Sequence, residues 1–204
     1  MKYVRSTAGF TLVELLVSIS IFAFMTALLV VKYGNFNNGV LITNLAYDVA
    51  LTIRQAQSFG LNVKQADNSK TCIGTFGASG DAFQCSYGAH FETADSSHFK
   101  LFLDDYLVNS VYDCVGTSCS TGGDYIINSY AIKRGATVSR LCVTTGTGSC
   151  NDVSSLDIVF QRPNPDAIIN GSTVNTYAQI ELRATDGTLK HVVVRKTGQI
   201  SIEN

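Results

Sequence analysis

Glu14 is the only ionisable side chain between Ser6 and Val31, and it stands in a run built from Leu, Val, Ile, Phe, Ala and Met. A carboxylate at bilayer depth costs roughly 2.5 to 3.5 kcal/mol on insertion scales, so an acid kept there needs a partner or a task. An ionisable residue there is a functional candidate by default; the bland alternative is a carboxylate that snorkels to the interface from near the helix start. Six cysteines, Cys72, Cys85, Cys114, Cys119, Cys142 and Cys150, follow the apolar run in three sequence-local pairs. Neighbour pairing into short-loop disulfides is the simplest of many connectivities, and it predicts an oxidising setting outside the cytosol. Reduced or metal-binding thiols are the alternative, but there is no C-x-x-C and the spacing is irregular, which disfavours zinc.

Oxygen ligands gather near Asp104-Asp105 and Asp113, before Cys114. An acidic loop of this kind can take calcium, which makes these three residues calcium candidates. The D-x-[DN]-x-[DN]-G spacing is missing, so a solvated acidic loop is the simpler reading, with no metal and no cofactor assigned. Toward the C-terminus Arg183, Lys190, His191, Arg195 and Lys196 outnumber Glu181, Asp186 and Glu203. Strand alternation spreads such bases over two faces, so nucleic-acid binding has little support against a solvated sheet face.

The sequence holds no G-x-S-x-G, no H-E-x-x-H and no Walker A motif, and its three histidines, His90, His98 and His191, are isolated in strand-like contexts. These features predict a protein that is not an enzyme. Asn170-Gly171-Ser172 fits a glycosylation sequon and reads as a loop.

The elements that must position Glu14 begin with a basic leader carrying Lys2 and Arg5. The apolar run from Phe10 covers about 22 residues, enough to cross roughly 30 Å of hydrocarbon and too long for an ordinary signal-peptide core. Positive residues upstream keep the N-terminus cytoplasmic, so the remainder is exported to the periplasm or beyond. At 204 residues and 46% hydrophobic, the chain has room for one anchor and one modest domain. Its net charge of −1 provides no global field for gripping nucleic acid or an anionic surface.

Gly9-Phe10-Thr11-Leu12-Val13-Glu14-Leu15-Leu16-Val17, after that short leader, resembles the prepilin signature of type IV pilins and type II secretion pseudopilins. The resemblance implies cleavage between Gly9 and Phe10 by a prepilin peptidase, N-methylation of Phe10, and a role for Glu14 in assembly. There Glu14 would pair with the amino terminus of a neighbouring subunit, neutralising two charges in an apolar filament core. The implied partners are other pilins or pseudopilins, the peptidase, an inner-membrane assembly platform and the membrane itself. A rival from another class is an extracytoplasmic binding module for calcium, glycan or DNA on an uncleaved signal anchor.

Lys32 to Gly39 is a polar, Gly- and Asn-rich interval that either ends one helix or loosens it. Beyond it Leu41, Leu45, Val49, Ile53 and Ala56 form an apolar stripe, with Gly60 expected as the C-cap. The predicted organisation is a leader (1–9), an assembly helix (10–31), an interface and amphipathic helix (32–62) and a disulfide-stabilised β-rich domain (63–204). Strands are expected over 71–77, 83–92, 98–103, 125–133, 138–144, 156–161, 177–184, 190–195 and 199–203, with Asp186-Gly187 as a hairpin turn. The fold class is α+β, with a long N-terminal helix packed on a C-terminal antiparallel sheet domain; the terminal meander resembles the C-terminal sheet of minor pilins and minor pseudopilins.

Overall fold

A computed structural model of the chain describes residues 9–62 (31–37 by backbone alone), 64, 85–105, 109–114, 123–146 and 149–204. The expected strand over 71–77, and Cys72 and Cys119, lie outside the described residues.

One helix, α1 (Leu12–Leu61), runs for 50 residues without a break, roughly 75 Å at 1.5 Å per residue. The Gly- and Asn-rich interval neither ends nor interrupts it. Each glycine there costs about 1 kcal/mol against alanine, a deficit offset by the apolar segment before it and the packed face after it. The helix ends at Asn62, whose backbone N–H donates to Ser58 O at 3.0 Å.

Gly60 is therefore not the cap. It lies within the helix, where a Cβ would come within 2.3 Å of Phe160 O, so its missing side chain lets the helix press onto the domain. The buried stripe is also rotated from the expected one. Ile42, Ala46, Val49, Ile53, Ala56 and Gly60 are buried, whereas Leu41 and Leu45 are half-buried at the margin. Spacings that alternate four and three residues track the 3.6-residue turn; a strict four-residue stripe drifts off the contact face.

Among the described residues ten strands form two antiparallel sheets, which together make up the expected β-sheet domain. The first contains β1 (Ser86–Glu92), β2 (His98–Asp104), β3 (Tyr125–Ala131), β6 (Ser155–Phe160) and β7 (Ala167–Ile169), in the order β3-β2-β1-β6-β7. The second contains β4 (Thr137–Thr144), β5 (Asn151–Val153), β8 (Tyr177–Arg183), β9 (Leu189–Arg195) and β10 (Ile200–Glu203), in the order β10-β9-β8-β4-β5. The predicted meander is present: Ala178 pairs with Val194, and Val194 with Ile200. Gly187 takes a positive φ of 87° in its turn, the conformation that favours glycine.

The core lies where the helix meets the inner faces of both sheets. Ala89 and Phe91 of β1, Phe99 and Leu101 of β2, and Leu156 and Ile158 of β6 join Ile180, Leu182, Val192 and Val194 of the second sheet around Ile42, Val49 and Ile53. A disulfide joins Cys142 on β4 to Cys150 just before β5, with Cα atoms 5.5 Å apart. Cys85 and Cys114 are disulfide-bonded as well.

Candidate functional site

The N-terminal end of α1 is built by one local device. Thr11 is the N-cap in extended backbone, and its Oγ1 accepts from Glu14 N at 3.2 Å. Glu14 Oε2 reaches back to accept from Thr11 N at 2.9 Å and from Thr11 Oγ1 at 2.8 Å. This is a capping box, which satisfies two of the donors at the helix start reciprocally. It also fixes where the helix begins, so Gly9 and Phe10 lie outside it and Phe10 is 90% exposed.

The span Leu12–Val30 is long and apolar enough to cross a membrane, and none of it is buried against the domain. Its three hydroxyls are satisfied internally: Ser18 donates to Glu14 O at 2.7 Å, Ser20 to Val17 O at 2.8 Å and Thr26 to Phe22 O at 2.7 Å. Glu14 is thus the one charged group in the span, and Thr11 is its hydrogen-bond donor within the chain.

The exposed apolar surface does not stop where the span does. Leu15, Phe22, Leu29, Val40, Tyr47 and Leu51 are all exposed, with Tyr47 at 56% and Leu51 at 61%. At 100° per residue these positions fall within about 40° of one another, on the side of α1 opposite the buried stripe. Beside the lower end of this ridge runs a groove between α1 and the edge strand β3, lined by Leu45, Asp48, Leu51, Gln55 and Tyr130. The ridge was missed in the sequence because nothing in a hydrophobic residue's identity says which side of the helix the sheets will cover.

Asp104, Asp105 and Asp113 do come together, joined by Asp124, which sequence reading did not single out. Their carboxylates accept backbone and side-chain N–H groups: Ser110 N on Asp104 at 2.8 Å, Tyr125 N on Asp105 at 2.9 Å, and Asn109 Nδ2 on Asp113 at 2.9 Å. Asp124 accepts from Asp105 N at 3.2 Å and Asp113 N at 2.8 Å. Among the described residues no three metal-ligating side chains converge on a common point. The arrangement ties a loop to the sheet.

The histidines are not isolated. His90 is buried with Nδ1 2.7 Å from Asp157 Oδ1 on the neighbouring strand, and Tyr112 lies against its ring with centroids 4.4 Å apart. His98 Nδ1 is 2.9 Å from Asp95 Oδ1, and His191 Nδ1 is 2.7 Å from Gln179 Nε2. Only the fold brings His90 to Asp157, 67 residues away in sequence.

The C-terminal bases do not form a patch: register places Glu181 and Glu203 on either side of His191. Lys196 donates to Thr173 O at 2.6 Å. The sequon's Asn170 is engaged too, accepting from Asp157 N at 2.7 Å and donating to Ser155 O at 3.1 Å.

Residues 4–30 match the prokaryotic N-terminal methylation motif, the signature of type IV pilin and pseudopilin precursors. No curated protein and no solved structure matches the chain. The motif points to a pilin-like precursor and a structural protein rather than an enzyme, and it implies processing by a prepilin peptidase and assembly with other pilin subunits.

Proposed function

We propose that this chain is a minor pilin or pseudopilin, a structural subunit of a type IV pilus-like filament or a type II secretion pseudopilus. The observation that carries the reading is the match of the methylation motif to residues 4–30, the stretch in which helix α1 begins just past an exposed Gly9-Phe10 bond. A protease needs an extended, accessible segment, and the capping box keeps the helix from reaching that bond.

In this account the leader 1–9 with Lys2 and Arg5 stays cytoplasmic, and the peptidase cuts between Gly9 and Phe10. Phe10 becomes the N-methylated first residue, and the β-rich domain is exported while α1 holds it in the inner membrane. Assembly on an inner-membrane platform then brings the new amino terminus of one subunit to Glu14 of another. Two opposite charges neutralise each other in a medium that penalises each alone, which sets the register between subunits. The exposed apolar positions Leu15, Phe22 and Leu29, and Val40, Tyr47 and Leu51 further along the helix, supply the lateral contact surface between helices.

Incorporation into sheared filaments, scored beside membrane insertion and processing, tests this reading. Glu14→Ala is expected to insert and be cut normally yet be lost from the filament fraction. Normal incorporation of that variant would refute the register role.

A further inference from the structure

Residues 109–114 lie across the outer face of the first sheet. Tyr112 packs against His90 of β1 and, with centroids 5.2 Å apart, edge-on against Phe102 of β2. Ser110 is held at a positive φ of 62°, a conformation that a non-glycine residue keeps only where its surroundings secure it. Its N–H donates to Asp104 Oδ2 at 2.8 Å, which is that anchor.

Asp104 is fully buried, and its other oxygen, Oδ1, has no hydrogen-bond partner. The Ser86 hydroxyl is likewise buried and unpartnered, and Ser86 is the residue directly opposite Asp104 in the β1–β2 register. A second anchor point lies beside them, where Asp113 N donates to Asp124 Oδ2 and Asp124 N to Asp113 O, both at 2.8 Å.

We propose that Asp104 is a buried, proton-operated latch: carrying its proton it keeps residues 109–114 folded onto the first sheet, and on losing it lets that segment loosen. An ionised Asp104 would hold a charge at zero exposure with one oxygen bare, whereas a protonated one carries no charge into that site. The charges acting on it are those of Asp124 and Asp113, both of its own sign. Lys100 and His90 stand on the same sheet face further along the strands; Lys100 Nζ lies 4.9 Å from the Tyr112 ring and His90 faces Asp157.

Burial first, then the like charges of Asp124 and Asp113, outweigh the Ser110 and Asn109 backbone N–H groups, which favour the ionised form, and push the Asp104 carboxyl up to about 7 from an ordinary 3.8. The closed state therefore binds the proton more tightly than the open one. Closure is strongest below the open-state value, weakens as pH rises toward about 7 and levels off above it, opening growing about ten-fold per pH unit inside that window.

Hydrogen exchange at the Ser110 and Asp113 amides of the full chain in detergent micelles, corrected for intrinsic rates, reads the latch directly. From pH 5 to pH 7 their protection should fall at least about ten-fold, and Asp104→Asn should flatten the dependence. Protection that stays constant over this range, or an equal slope in Asp104→Asn, would overturn the proposal. Should the variant not fold, carbon-13 detection of the wild-type Asp104 carboxyl decides: titration near neutral pH supports the latch, and titration below pH 5 contradicts it.

Discussion

The Glu14 carboxylate accepts both the backbone N–H and the hydroxyl of Thr11, at 2.9 and 2.8 Å, while the Thr11 hydroxyl oxygen accepts from Glu14 N. Before any partner arrives, then, the single acid of the apolar span is neither bare nor idle. It closes the first helical turn, and under the proposed assembly a neighbour's ammonium group would exchange or supplement these bonds. The same geometry separates two roles for Glu14. Glutamine at this position still closes a capping box but carries no charge. Glu14→Gln should keep a helical, membrane-inserted and processed subunit and yet incorporate as poorly as Glu14→Ala; recovery in the glutamine variant, measured by filament immunoblot, would reduce Glu14 to a cap.

Thr11→Val removes the hydroxyl without touching the charge. Loss of an N-cap costs about 1 kcal/mol, so the helix start should fray toward Leu15. Faster amide exchange in residues 12 to 15 is expected, with exchange in the β-domain unchanged.

The ridge on α1 makes a prediction about surface against core. Tyr47→Asp and Leu51→Asp alter side chains that are 56% and 61% exposed, so the urea midpoint of the purified chain should barely move, by less than about 0.5 kcal/mol. Co-pelleting with other subunits should nevertheless fall sharply. A loss of stability in step with the loss of pelleting would place these residues in the fold instead.

Gly60→Ala tests the closest approach of helix and domain. Alanine improves helix propensity by about 1 kcal/mol, but its Cβ would lie 2.3 Å from Phe160 O, and overpacking of this kind costs about 1 to 3 kcal/mol. Destabilisation in urea is expected; stabilisation would mean that the domain yields at this point.

Global stability should follow Asp104 between pH 5 and pH 7.5. A carboxyl raised toward 7 by burial binds its proton more tightly in the folded state, so the urea midpoint should be higher at pH 5 than at pH 7.5. Asp95, lowered chiefly by its hydrogen bond with His98, stabilises the fold above its unfolded pKa and loses that contribution only as pH falls below it, so it does not blur this window.

What the sequence disclosed followed from period and composition. The anchor, the acid within it and the longer alternating strands, such as Tyr177–Arg183 and its partner Leu189–Arg195, were legible because one side of each element is buried or lipid-facing over several repeats. The three-residue strands Asn151–Val153 and Ala167–Ile169 were not, since so short a segment completes hardly more than one alternation. Nor does alternation say which of the two sheets a strand joins. Asp124 follows two glycines, where a lone acid reads as solvent-facing turn; only the folded loop turns it onto the amides of Asp105 and Asp113. Gly60 read as a stop signal because a helix-terminal glycine and a glycine of close approach look alike until the opposing backbone of Phe160 is in place.

Mass spectrometry of the N-terminal peptide from protein purified out of membranes, with its prepilin peptidase present, tests the central claim most directly. The account predicts that the mature chain begins at an N-methylated Phe10, with Glu14 as its fifth residue. A chain that still begins at Met1, or one cut after the apolar span, would contradict it.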